Sequence, residues 1–239
     1  MEKIQSKNLN DESKYGDDMV FESWADNNIF FPISERILEP LHNMGLTPNM
    51  VTILSTIFTF LSIYFLHIEN RFLAMIAYFS GYLLDCVDGK MARRYKMGSD
   101  IGMALDGVSD NISNVVLFIY ILVTRKFNII TISSLGILII LSYMLSLSFG
   151  LNEAISSYES SGSDNFYEKK KKYFNDKFVP LYEALLYDCY ICINKISYDT
   201  YKFVFPSYNK LEINEWLKVL KHFGPGNYCL FVSLLLLFI

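Results

Sequence analysis

Four long apolar runs punctuate this chain, at about 49–67, 71–87, 101–124 and 128–150, and a shorter fifth lies at about 226–239. A helix needs roughly 20 apolar residues to cross the hydrocarbon of a bilayer, so the first four predict spanning helices and the fifth is marginal. Pro48 marks the start of the first span. Ahead of it, residues 19–48 mix aromatic, aliphatic and charged positions, among them Phe21, Trp24, Phe30, Phe31, Ile33, Ile37, Leu38 and Leu41. The mixture predicts a helix lying in the membrane interface, although taken alone it fits a soluble amphipathic helix nearly as well. Residues 1–18 are polar and predict a disordered tail. The stretch 151–225 predicts a partly helical cytoplasmic insertion. Within it, 178–205 is amphipathic, but Glu183 and Asp188 would each cost about 2.5–3.5 kcal/mol at a bilayer centre, so a surface helix is expected there. The predicted fold is an all-α integral membrane protein: a bundle of five transmembrane helices, or six if 178–205 also crosses, with an N-terminal interfacial helix. The four spans of 49–150 form its core.

Composition points the same way. The chain is 52% hydrophobic and only 19% charged, with a mean hydropathy of +0.25, where a soluble domain carries about a quarter charged residues. The net charge of −4 gives no support to nucleic-acid binding, yet it hides a segregation. Lys90, Arg93, Arg94 and Lys96 lie between the second and third spans, Arg125 and Lys126 follow the third, and 151–225 holds ten lysines, whereas Arg71 alone flanks the first hairpin. The positive-inside rule then puts the N-terminus, the loop after residue 90 and the long segment on the cytoplasmic side. The basic run Lys169–Lys172, flanked by Tyr167, Tyr173 and Phe174, reads either as a solvated loop or as a site for anionic headgroups at about 1 kcal/mol per residue.

Cysteine and histidine chemistry finds little footing. Cys189 and Cys192 form a lone CxxC, Cys86 and Cys229 stand apart, and His42, His67 and His222 are scattered. A zinc site needs about four ligands, so small apolar positions on a helix are the plainer reading. The first 20 residues, polar and mixed in charge, predict no cleavable signal peptide.

The chemistry is concentrated in four carboxylates. Asp85 and Asp88 are spaced i, i+3, and Asp106 and Asp110 i, i+4, so each pair shares one helix face. Gly89, Gly98 and Gly102 permit a turn that folds the end of the second span against the start of the third. Four acids gathered at a membrane boundary repel one another, and such residues usually mark a functional site. Hard divalent cations relieve the repulsion, and all-oxygen ligation suits Mg²⁺, Mn²⁺ or Ca²⁺. The prediction is a site for two ions, and paired hard cations stabilise charge that develops at phosphorus. Gly89, Ala92 and Gly102 would let a diphosphate approach the backbone, and the Arg93 fork would hold a phosphate. The glycines serve close packing of the two spans equally well, and Arg93 could simply pair with an aspartate.

Written out, the run is Asp85-x2-Asp88-Gly89-x2-Ala92-Arg93-x8-Gly102-x3-Asp106-x3-Asp110. It resembles the signature of the CDP-alcohol phosphotransferase (CDP-alcohol phosphatidyltransferase) family at all eight fixed positions. With residue frequencies of about 5%, a chance match at one start is on the order of one in 10¹⁰. The resemblance extends loosely over about 19–150, and Pro48-Asn49-x-x-Thr52 resembles an element that often precedes the motif in this family. It implies that Asp85, Asp88 and Asp106 bind two divalent ions, Mg²⁺ or Mn²⁺, and that Asp110 approaches the metals and serves as the base for the acceptor hydroxyl. Gly89, Ala92, Arg93 and Gly102 match positions that contact the CDP part of the donor, with Asn49 and Thr52 lining the same pocket. The implied reaction is attack by a lipid or small alcohol on the phosphorus farther from cytidine, releasing CMP, at the cytoplasmic side of the membrane. A homodimer is implied by the resemblance alone.

Substrate choice is less constrained. Members acting on phosphorylated alcohols generally need extra cations, and here only Lys218 and Lys221 are candidates, provided the helix before the last span folds back. The Gly89-Lys90 and Arg93-Arg94 pairs resemble the choline and ethanolamine phosphotransferases, which tips the expectation slightly toward that type. A CDP-diacylglycerol-dependent phosphatidyltransferase with an inositol, serine or glycerol phosphate acceptor is the alternative. An inactive membrane scaffold and a UbiA-type prenyltransferase are the readings from other classes; the latter lacks the Asp-Gly-x-x-Ala-Arg pattern.

Overall fold

A computed structural model describes residues 22–125 and 129–238. The predicted polar tail 1–18, together with Phe21 and Lys126, lies outside the described residues. Nine α-helices account for the described chain, and no strand occurs among those residues. A π-helical turn, Asp26–Phe30, leads into α1 (Phe31–Asn43). Then follow α2 (Pro48–His67), α3 (Arg71–Arg94), α4 (Asp100–Thr124) and α5 (Ile129–Ser161), and after them α6 (Phe166–Asn175), α7 (Leu181–Val204), α8 (Lys210–Leu220) and α9 (Pro225–Leu235).

Local chemistry sets the boundaries. Thr47, Asn70, Ser99 and Asn165 each accept a hydrogen bond from a first-turn N–H, capping α2, α3, α4 and α6. Pro48 occupies the opening turn of α2, where no N–H is needed. Helices α2, α3, α4 and the Ile132–Ser161 part of α5 are long and apolar enough to cross a membrane. Their outward faces are apolar: Met50, Ile53, Ile57, Phe60 and Tyr64 on α2 are all exposed, an arrangement that suits lipid as the surrounding solvent. The inward face of α2 is instead small and polar, with Thr52, Ser55, Thr59 and Ser62 buried against α3. Small residues let the two backbones approach; a Cβ on Gly81 would stand 2.8 Å from the Thr59 hydroxyl.

The architecture is the all-α membrane bundle that the hydropathy pattern suggests, with several revisions. Helix α3 runs on to Arg94, so Gly89, Ala92 and Arg93 are helical and the turn between the two acidic helices is confined to residues 95–99. Helix α5 continues through Gly150 to Ser161 and ends at Gly162, whose φ is +69°. The last apolar run forms α9, only 11 residues long, or about 16 Å at 1.5 Å per residue, which is short of the hydrocarbon thickness. Part of the segment 151–225 packs against the long apolar helices. Helix α7 packs along α4 and α5 and joins the bundle, with Tyr187, Tyr190, Ile191, Asn194, Ser197 and Tyr201 buried and Asp188 exposed. Hydropathy hides this helix because the face it buries is aromatic and polar.

Two hundred residues of separation are bridged where the chain before α1 meets α9. The buried Asp26 accepts hydrogen bonds from Ser23 Oγ and Tyr82 Oη, each 2.7 Å away, and from the backbone N–H of Gly226 at 3.1 Å. In return, Asn227 Oδ1 accepts from the N–H of Ala25 at 3.0 Å. The orphan donors at the start of α9 are thus met from the other end of the described chain.

Candidate active site

The acidic residues converge as their spacing requires. Asp85 and Asp88 project from α3 and Asp106 from α4, and a carboxylate oxygen from each lies within 4.8 Å of the other two. Asp110, one turn further along α4, lines the same cavity. This cavity, about 910 Å³, is enclosed by α2, α3, α4, α5 and α7 and also touches α6 and α9. Asp88 is buried, and its Oδ2 accepts a 2.6 Å hydrogen bond from Thr52 Oγ1 on α2. Thr52 therefore acts on the acidic centre by orienting Asp88, whereas the sequence suggests a lining role in the donor pocket; it also lines the cavity.

Gly89, Ala92, Arg93, Gly102 and Asn49 border the cavity beside the aspartates. The absence of side chains matters at Gly102, where a Cβ would fall 2.5 Å from Asn49 Oδ1 and 2.9 Å from Ser99 Oγ. Asn49 and Gly102 thus meet where α2 faces the first turn of α4. The Arg93 guanidinium lies along its own helix, Nη1 being 3.4 Å from a notional Cβ on Gly89. Deeper in the cavity, Tyr78 Oη donates to Asn114 Oδ1 at 2.7 Å, and Asn114 Nδ2 donates to the carbonyl of Asp110 at 2.8 Å.

The donor set fits a hard cation. Three aspartate carboxylates offer oxygen only, and Asp85 Oδ1 is buried without a hydrogen-bond partner among the described residues. A buried carboxylate oxygen left in this state is costly unless a cation meets it, and all-oxygen ligation suits hard divalent cations over softer metals.

Against this geometry, a family model for CDP-alcohol phosphatidyltransferase matches residues 45–169. The chain belongs to that family. An archaetidylinositol phosphate synthase of Pyrococcus horikoshii is 38% identical over 80 residues, 34% of this chain and 43% of that protein. An uncharacterized protein of Aquifex aeolicus is 34% identical over 91 residues, 36% of this chain and 46% of its own. The chain thus spans less than half the length of the curated relatives it matches. The family match covers α2 to α5 and stops within α6.

Several cavity residues lie outside the motif. Glu153 and Asn152 on α5, Lys170 on α6, and Tyr190, Asn194 and Ser197 on α7 all border the cavity. The basic run is split by its helix: Lys169 hydrogen-bonds Ser157 at the end of α5, Lys170 turns into the cavity, and Lys171 and Lys172 are exposed. Phe166 and Phe174, both buried, fix which side of α6 faces inward. Lys218, a sequence candidate for the extra cation, instead pairs with Glu215 on the exposed side of α8. Lys90 and Arg94, on which the amino-alcohol expectation rests, both pair with Glu35 of α1 and are not cavity-lining residues.

Proposed function

We propose that this protein is a membrane enzyme that transfers a substituted phosphate group from a CDP-linked donor to an alcohol hydroxyl, with release of CMP. The observation that carries the reading is the convergence of the Asp85, Asp88 and Asp106 carboxylates at one end of a cavity bordered by Gly89, Arg93 and Gly102. Asp85, Asp88 and Asp106, with Asp110 beside them, would hold two divalent ions, Mg²⁺ or Mn²⁺. When bound, the metal supplies neutralisation of the charge that develops on the phosphate oxygens. Arg93 and the bare backbone at Gly89, Ala92 and Gly102 bind the diphosphate, and Asn49 positions the nucleotide edge. Asp110 accepts the proton of the attacking hydroxyl. Thr52 holds Asp88 in its ligating orientation. The active site opens on the cytoplasmic side, where the connections rich in lysine and arginine lie.

On donor identity, we favour the CDP-diacylglycerol-dependent reading over choline or ethanolamine transfer, because the named relative, 38% identical over 80 residues, is an archaetidylinositol phosphate synthase. The test supplies full-length protein in detergent or vesicles with radiolabelled CDP-diacylglycerol, CDP-choline and CDP-ethanolamine in parallel, each with candidate alcohols, and follows CMP. CMP release that requires Mg²⁺ or Mn²⁺, stops on chelation, and is abolished in a folded Asp88→Ala variant is the expected result. Full activity in that variant would refute the assignment.

A further inference from the structure

Helix α7 begins and ends at the same end of the bundle. In its first half, Tyr187, Tyr190 and Ile191 pack against Ala104 and Val108 near the start of α4, and a Cβ on Gly107 would stand 2.9 Å from the Tyr190 ring. In its last turns, the Ser197 carbonyl and Tyr201 close on Gly150 of α5. Tyr201 Oη and Lys202 Nζ donate to Asp164, just past the end of α5, at 2.7 and 2.6 Å. The start of α4 and the end of α5 share one side of the membrane, because only four residues join the two helices at the other. Helix α6 confirms the pairing: Tyr173 and, just beyond the helix, Lys177 both reach Asp100, the first residue of α4. A bilayer core of about 30 Å takes about 20 helical residues, which runs from Thr124 back to about Leu105 in α4, and from Ile132 on to about Leu151 in α5. Those are the two levels at which α7 makes its contacts.

The sequence of α7 divides into three faces. One is buried and carries Tyr187, Tyr190, Asn194, Ser197 and Tyr201. A second is apolar yet exposed: Leu181, Leu185, Cys189, Cys192, Ile196 and Phe203, with Ile196 60% and Phe203 85% accessible. The third is a charged edge, where Asp188, Lys195, Asp199 and Lys202 follow one another at helical spacing along most of the helix. A spanning helix would carry that edge through hydrocarbon, where each charge is costly. A helix in water would leave the apolar face without a partner. Lying along the boundary gives each face its own medium. We propose that α7 is an interfacial helix on the side of the membrane nearest the aspartates. Its Leu185–Phe203 stripe lies among acyl chains, and its Asp188–Lys202 edge lies in the hydrated headgroup layer. The edge holds two charges of each sign, so the surface it fits is the bilayer boundary itself and not an anionic one in particular. Tyr190, Asn194 and Ser197 line the second end of the cavity, beside Lys170, and the wall they form therefore stands at headgroup depth. The placement holds whatever the cavity binds and does not depend on the transferase reading.

Spin labelling of the full chain in phosphatidylcholine vesicles, with and without phosphatidylglycerol, tests the placement. Nitroxides are attached in turn at Leu185→Cys, Ile196→Cys and Phe203→Cys on the stripe, and at Asp188→Cys, Lys195→Cys and Asp199→Cys on the edge. All are made in a Cys189→Ser, Cys192→Ser background. Collision with oxygen and with a water-soluble nickel chelate then reports depth. The three stripe positions cover about 27 Å of helix axis. They should nonetheless share one depth, about 5–10 Å into the boundary between headgroups and chains, and the edge positions should be open to nickel. Phosphatidylglycerol should change neither result. A depth that peaks in mid-helix with both ends shallow marks a spanning helix and overturns the proposal. Equal nickel access on stripe and edge marks a surface in water, and shielding of the stripe from both reagents marks a protein partner; either outcome overturns it as well. The native thiols give a second reading without those substitutions. Cys189 and Cys192 should react with a lipid-soluble maleimide in preference to a water-soluble one, and the reverse order refutes their placement among acyl chains.

Discussion

Thr52→Val removes one hydroxyl from the acidic centre and keeps the side-chain shape. The lost contact is the 2.6 Å hydrogen bond to Asp88 Oδ2, made where Asp88 is only 4% exposed. A hydrogen bond to a charged group contributes about 1.5–3 kcal/mol, which corresponds to about 10- to 150-fold in an equilibrium constant. Groups that orient a metal ligand from outside the coordination sphere typically contribute 10- to 100-fold to metal affinity, about the same range. The valine variant should therefore need about 10–100 times more Mn²⁺ to reach half-maximal CMP release, while its donor KM at saturating metal stays near wild type. The metal-induced rise in melting temperature supplies a readout independent of turnover and should move to higher Mn²⁺ in parallel. A midpoint within about twofold of wild type in both assays would refute the claim that Thr52 holds a metal ligand in place.

Asp26→Ala should lower the stability of the detergent-solubilised protein by about 3 kcal/mol, because Tyr82, Ser23 and the Gly226 N–H lose a shared buried acceptor; an unchanged melting temperature would reject the clasp. Gly150→Ala should drive α5 from α7, since its Cβ would sit 2.6 Å from the Ser197 carbonyl. A cost of about 1–3 kcal/mol in the stability of the solubilised protein is expected, and an unchanged melting temperature would reject the close approach. Asp164, between α5 and α6, gives a pH dependence. Burial pushes its carboxyl up, but hydrogen bonds from Lys202 and Tyr201 and the Lys202 charge together hold it below the ordinary value of 3.8. A depressed carboxyl adds stability that is present above the unfolded value and fades as pH falls through the folded one. Asp164→Asn should thus flatten the loss of thermal stability below about pH 4, and an identical acid limb would disprove the contribution.

The acidic centre was legible because helical periodicity needs no tertiary information: i, i+3 and i, i+4 spacings put Asp85 with Asp88 and Asp106 with Asp110 wherever the helices go. The spans from α2 to α4 were legible for a similar reason, since a long apolar run has few other fates. The second end of the cavity was not. Lys170 reads as one lysine of four, and only the packing of Phe166 and Phe174 decides which of them turns inward. The packing of α7 against α4 and α5 was not legible, because its buried side carries Tyr187, Tyr190 and Asn194 rather than an apolar stripe, while Asp188 stays exposed. Thr52 was legible as a member of the site, but its contact with Asp88 depends on how closely α2 approaches α3, which Gly81 and the small residues of α2 set.

The contact between Asp26 and the start of α9 also has a consequence in time. Synthesis at about 5–20 residues per second separates the two partners by roughly 10–40 seconds, since 200 positions lie between them. During that interval the carboxylate has nothing from α9 to hold, and the cleft beside Tyr82 stays unlatched. Closure therefore waits until residue 226 has been made and delivered, and a nascent chain stalled before it would carry an unsealed acid beside Tyr82.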